Sequence, residues 1–233
     1  MILRATCALF LVLVPVSAQS GFPFSDEALS YRINWPSGLS LGEGRLTAAH
    51  SQASKGEADR WEFELSLDAA IPGFKVSDHY RAGASGAFCS SNLVKEATHG
   101  ERKANERTVF DLHRHVAERS TEGGGKSESS INNCPHDALT FLFFTRSELS
   151  QGRVPPAEAV FFGATYQVRL EYTGPQPISV GGKKAEADRV VAHLKGPASD
   201  VTVEFFFARD PARTPLLIRA PFSMGTFAME LVR

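Results

Sequence analysis

Trp61, Phe63, Leu65, Leu67, Ala69 and Ile71 alternate with Glu62, Glu64, Ser66 and Asp68, the cleanest two-residue period in the chain. Successive side chains of a β-strand point to opposite faces, so this pattern predicts a strand with one face on a core and the other on water or a polar partner. The same period recurs along most of the sequence. Leu29, Tyr31, Ile33 and Trp35 alternate with Ser30, Arg32 and Asn34, and after a Pro36-Ser37-Gly38 turn a second strand carries Leu39, Leu41 and Leu46. Gly42 and Gly44 interrupt that strand; they either let it bulge and curl or mark where a ligand approaches the backbone. Residues 51–59 read as a polar turn and Pro72-Gly73 as a break, after which Phe74, Val76 and Tyr80 resume the pattern. Phe88, Cys89 and Leu93 fall on a further strand, residues 99–106 on a charged hairpin tip and residues 108–116 on a returning strand. Residues 118–130, ERSTEGGGKSESS, are too polar to bury much area and are expected to form a loop.

Beyond Pro155-Pro156 the alternation returns. Phe162, Tyr166, Val168, Leu170 and Tyr172 share one parity, and Gly174 and Gly181-Gly182 read as turns. Residues 185–194 form another expected strand. Val201, Val203, Phe205 and Phe207 follow on a strong one, with Phe206 on its opposite face. Residues 210–215 turn, 216–220 are a short strand, and Phe227, Met229 and Leu231 lie on a last one.

One stretch departs from this period. In residues 134–152, CPHDALTFLFFTRSELSQG, a Cys134-Pro135 turn and the capping candidate Asp137 precede Leu139, Leu142, Phe143 and Leu149 at helical spacing, and Gly152 closes the run. The expected architecture is therefore mainly β. It consists of about ten strands in a curled antiparallel sheet, forming a barrel or half-barrel, with one short helix (about 137–149) packed on it or plugging it. No fixed-period repeat or linker divides residues 19–233, so they are expected to form a single β-rich domain.

The first eighteen residues differ from the rest. Arg4 gives a positive start, residues 5–14 are apolar, and Val16-Ser17-Ala18 resembles a cleavage site, which together predict a signal peptide at 1–18. The apolar run is too short to span a bilayer, and Cys7 lies too early for a lipid anchor. The mature chain is thus expected to be exported, periplasmic and without a membrane span. Without its leader the chain carries 24 basic against 26 acidic residues, and no basic stripe points to nucleic acid. Export leaves two cysteines, Cys89 and Cys134. In an oxidising compartment a pair reads as a disulfide, the alternative being two buried thiols. Closing that loop of roughly 45 residues would contribute about 4 kcal/mol on chain-entropy grounds.

Candidate chemistry is sparse. His113 and His115 lie two apart on an expected strand and would share a face, a spacing seen in metal sites, with His99 or Asp111 as a third ligand. Their alternation with Phe110, Leu112 and Val116 is equally that of a strand's wet face, so no metal or other cofactor is expected. Gly83-Ala84-Ser85-Gly86 does not match a nucleophile elbow, and there is no zincin, phosphate-loop or dinucleotide motif. Asp59, Glu62 and Glu64 read as ordinary exposed acids, so no catalytic residue is assigned. Seventeen phenylalanines either fill a core or line a lipid cavity. Arg146 follows the apolar run at 141–144. Its stem either covers that surface, or its guanidinium pairs with a buried carboxylate or an anionic ligand.

An ordered set of features resembles the bacterial exported proteins grouped as domain of unknown function 3108. These are the Tyr31-x-Ile33-x-Trp35 strand, Gly42-x-Gly44, Asp78-x-Tyr80, and Asp137-Ala138-Leu139-Thr140 with Arg146 before Gly152. The late strand and turn at 205–215 complete the set. The likeness covers about residues 28–231. Thr140, Phe143 and Phe144 stand where the family often has Ser, Tyr and Leu. The resemblance implies a β-rich, barrel-like envelope protein with no established activity, and it carries over no catalytic residue. Asp137, Arg146, Asp78 and Tyr80 are the candidate binding or structural positions. The expected role is non-catalytic binding of an envelope component, lipid or polysaccharide, with an envelope-polymer hydrolase or a scaffold in an envelope assembly as the alternatives.

Overall fold

The computed structural model describes residues 26–51, 58–71, 74–197, 199–222 and 225–232. The expected leader at 1–18, most of the 51–59 turn and the Pro72-Gly73 break lie outside the described residues. The first half of the chain is an antiparallel meander of β1 (Glu27–Asn34), β2 (Ser40–Ser51), β3 (Arg60–Ile71), β4 (Phe74–Ser85), β5 (Ser90–His99), β6 (Arg102–Asp111), β7 (Val116–Thr121) and β8 (Lys126–Ser130). The chain then forms a two-residue strand, β9 (His136–Asp137), and the single helix of the described residues, α1 (Ala138–Ser150). A second meander returns through β10 (Glu158–Phe161), β11 (Thr165–Val180), β12 (Lys183–Lys195), β13 (Asp200–Ala208), β14 (Pro215–Phe222) and β15 (Gly225–Val232).

All fifteen strands belong to one sheet, with β8 and β9 at its edges and β1 beside β15 at its centre. Tyr31 of β1 lies opposite Leu231 of β15, which joins the two meanders. β9 runs parallel to β10, and every other pairing is antiparallel. The sheet is strongly curled but does not close into a ring among the described residues.

Local chemistry explains the curl. Leu41 is an extra residue in β2: Ile33 pairs with Gly42, whereas Asn34 pairs with Ser40. A Cβ on Gly42 would lie 1.9 Å from the Asp68 carbonyl oxygen, so only glycine permits that approach. Gly42 therefore serves the curl. A second irregularity makes Leu216 the extra residue of β14, opposite Phe206 and Phe207, and Leu216 and Leu217 are both buried there. Phe206 and Phe207 lie on opposite faces of β13, each packed in a different part of the core.

Several expectations are corrected. Among the described residues fifteen strands replace about ten. Residues 118–130 are not a loop but most of the β7–β8 hairpin, turned at Gly124 (φ +84°). All five residues of β8 are exposed, which suits an edge strand whose backbone pairs with β7 on one side and with water on the other and which needs no apolar side chains. Phe88 and Cys89 precede β5, and Phe88 has a left-handed backbone (φ +65°). Phe162 lies in the β10–β11 turn, and Gly174 follows a bulge at Thr173 inside the long β11 instead of reversing the chain.

Helix α1 lies inside the curl. Asp137 caps it with an extended backbone, and its side chain accepts from Leu139 N and Thr140 N. At the other end Arg153 N donates to Glu148 O and Gly152 N to Leu149 O, with Gly152 at φ +74°, a Schellman ending. The single stripe of Leu139, Leu142, Phe143 and Leu149 underestimates its burial. Leu139 and Phe143 join the main core, Phe141 packs with Val160, Val168 and Ala192, and Leu149 packs with Val190 and Phe207. A helix apolar on several sides must be enclosed, so α1 fills the curl between the two meanders instead of lying on its surface.

Cys134 is bonded to Cys89 with a Cα–Cα distance of 4.6 Å, and Ser90 N donates to Pro135 O next to the bridge. The disulfide thereby holds the entry to α1 against the head of β5. Replacing both cysteines by serine is expected to lower the unfolding free energy by about 2–4 kcal/mol. Urea titrations extrapolated to water would measure this, and equal extrapolated free energies would contradict it.

Candidate functional site

The two ends of the curl have different chemistry. At one end sits α1, whose Phe143 ring stacks on Phe63 of β3 at 4.0 Å between centroids, continuing through Trp61 to His50. Arg146 is completely buried here. Its Nη1 and Nη2 donate to the two carboxylate oxygens of Glu27 at 2.7 and 2.8 Å, and its Nε donates to the Ala212 carbonyl at 3.1 Å. The guanidinium carbon also lies 5.0 Å from the Phe143 ring centre. Of the roles open to Arg146 in the sequence, the partner in place is a carboxylate of this chain. Tyr31 beside it donates to the Pro215 carbonyl, and burial pushes its phenol well above the usual range.

Asp137 is equally enclosed. It accepts from Ser90 Oγ at 2.7 Å and from Thr140 Oγ1 at 2.6 Å as well as from the two helix amides, while its own amide donates to Ser90 Oγ. Burial raises its carboxyl above the ordinary range, against the pull of those hydrogen bonds.

No helix of the described residues lies at the other end. β1 runs from Glu27, on Arg146, to Ile33, and β3 runs from Phe63, on the helix, to Leu67 and Ala69. Beyond the helix these strands, together with β14 and β15, form a half-open apolar cavity of about 420 Å³, lined chiefly by Ile33, Leu67, Ala69, Ile218, Phe227 and Met229. That volume is within the roughly 300–1,000 Å³ of small-molecule sites. Its polar lining comes from Asp78 and His99. His99 Nε2 lies 2.8 and 3.1 Å from the Asp78 oxygens, and Tyr80 donates to the same carboxylate at 3.1 Å. Burial and the adjacent Asp78 charge hold the Tyr80 phenol high, so it remains a donor. Asp78 and Tyr80 thus come together on the concave face, Asp78 on the cavity wall and Tyr80 just inside it.

His113 and His115 do not lie on a strand. Both fall in the β6–β7 turn, where Asp111 accepts from the amides of His113 and Arg114 and His115 is left-handed (φ +55°). The turn therefore denies them the shared strand face on which a metal site would depend. Among the described residues no group of three or more His, Cys, Asp or Glu side chains is placed to hold a metal ion. The sequence reading missed Glu27 and Ser90, which partner Arg146 and Asp137 from distant strands. It also considered His99 only as a possible metal ligand.

A family model described as "Protein of unknown function (DUF3108)" matches residues 30–232. No functionally curated protein matches the chain. Among solved structures, a β-barrel-like protein of domain of unknown function DUF1849 from Brucella abortus is similar, with a TM-score of 0.59 and 8% identity. The match covers 90% of this chain and 96% of that one, and at this identity it speaks for the fold alone.

Removing one partner of a buried ion pair strands the other, so Arg146→Met is expected to cost about 3–5 kcal/mol. With Glu27→Gln added, the double variant should be more stable than the sum of the single losses implies; strict additivity in urea titrations would contradict the coupling. Asp137 provides a pH signature. A folded-state pKa above the unfolded value means proton uptake on folding. Its contribution is therefore greatest at low pH and declines as pH rises from the ordinary carboxylate value, about 4, through the raised one. Asp137→Asn should flatten that decline in stability against pH, and an unaltered profile would contradict the assignment.

Proposed function

The chain belongs to the DUF3108 family of unknown function, and for this member we propose non-catalytic binding of a single apolar chain, of the kind carried by membrane lipids. The observation that carries this reading is the apolar cavity at the helix-free end of the curl. Burying hydrocarbon there gains roughly 25 cal/mol per Å² removed from water, a driving force that needs no catalytic group. Its lining favours a lipid chain over a polysaccharide, whose hydroxyls would need many polar partners. The Asp78–His99–Tyr80 cluster gives one end of the cavity a polar boundary, so a bound amphiphile would have a defined orientation.

The proposed setting is the periplasm. The leader-like pattern at 1–18 supports export. The Cys89–Cys134 bridge is at home in an oxidising compartment. No helix of the described residues is long and apolar enough to cross a membrane.

Native mass spectrometry with lipid extraction of protein purified from the periplasm tests this reading. Wild type is expected to carry an apolar ligand or to take up added monoacylglycerol. Ala69→Trp fills the cavity and should reduce that occupancy about tenfold while leaving the helix end untouched, as a thermal unfolding curve would verify. Wild type that neither carries nor takes up a chain, or a folded Ala69→Trp protein that binds as well as wild type, would overturn the proposal.

A further inference from the structure

We propose that the ligand is an anionic amphiphile, with its phosphate or carboxylate headgroup held over the β5–β6 turn by Arg102, Lys95 and His99. This rests on the apolar-chain reading above and adds the class of headgroup. The apolar cavity adjoins a second, larger one of about 950 Å³, and the two share Phe74 and His99 in their walls. Their chemistry differs. Lys95, His99, Arg102 and Lys103 line the second cavity against one acid, Glu101.

The strand register places these basic side chains together. His99 lies directly opposite Arg102 across the β5–β6 pair, and Lys95 lies opposite Glu106 further along the same ladder. Lys95 Nζ is 3.6 Å from Glu106, but Arg119 Nε also donates to that carboxylate at 2.7 Å, so two cations share one acid. On the far side, Asp78 faces His99 and Tyr80. Arg102 is exposed and has no ion pair among the described residues, so its guanidinium is available for an oxyanion. The floor between these cations is small: Ala97, Gly100 and Ala104 also line the cavity and leave room for a headgroup to approach. A chain lying along Leu67 and Ala69 would emerge past His99 and Phe74 into this cationic ground.

The test compares two probes with the same acyl chain, monoacyl phosphatidic acid and monoacylglycerol, together with inorganic phosphate alone, each titrated by calorimetry against wild type and Arg102→Gln. Wild type is expected to bind the acidic lipid about tenfold more tightly than the neutral one, the scale of one charge-assisted hydrogen bond, and added salt should narrow the difference. Arg102→Gln should lose most of that preference while binding monoacylglycerol as wild type does. Equal affinity for the two lipids overturns the anionic headgroup and leaves the apolar-chain reading standing. Inorganic phosphate bound as tightly as the acidic lipid overturns it too, since the cations would then form a site independent of the groove. Failure to bind either lipid overturns the apolar-chain reading and this inference with it.

Discussion

A guanidinium wholly withdrawn from water needs compensation from every side, and Arg146 obtains it from three parts of the chain. Glu27 at the start of β1 supplies two charge-assisted hydrogen bonds, the β13–β14 connection supplies the Ala212 carbonyl, and the helix itself supplies the Phe143 ring. Desolvating such a pair costs several kcal/mol per ion, so it stabilises only when the geometry is this complete. Glu27 is 119 residues from Arg146, and the pair can form only when α1 lies inside the curl with both meanders in place. The opposite end of the helix is fixed in a comparable way. There Asp137 and Ser90 exchange hydrogen bonds, next to the disulfide that ties Cys134 to Cys89.

Anchored at both ends, the helix cannot slide along the curl, and this decides where the interior is filled. Thirteen residues of helix fill the end marked by Glu27, Phe63 and Phe143 and do not reach Leu67, Ala69 or Met229. The strands continue past the plug with the same inward alternation, and their apolar side chains line a cavity. A helix shifted by one turn would separate Arg146 from Glu27 and Asp137 from Ser90, so the space beyond it follows from the same anchors that stabilise the plug.

Much of the fold was legible in the sequence, because a half-buried strand shows its alternation locally. Residues 61–71 read as a strand and lie within β3. The Asp137 cap and Gly152 ending bracketed the helix, and the two cysteines outside the expected leader pointed to a bridge. The β7–β8 hairpin was not legible, because a wholly exposed edge strand such as KSESS has no apolar period to display. His113 and His115 were misplaced for a related reason. Asp111 draws two amides into a turn, and alternation cannot register that hydrogen bonding. Within the candidate site, Asp78, Tyr80, Asp137 and Arg146 were singled out, but their partners Glu27, Ser90 and His99 come from strands brought near by register. The cavity was invisible for a stronger reason: parity identifies which residues face inward, not how far a plug extends among them.

The central claim is that the anchored helix fills one end of the curl and leaves the other to an apolar ligand. A crystal structure of the protein grown with a single-chain amphiphile tests it most directly. The account predicts continuous density along Leu67, Ala69, Phe227 and Met229, with the polar end near His99 and with Arg146 still on Glu27. A cavity closed by collapsed side chains, or a ligand bound elsewhere on the sheet, would contradict it.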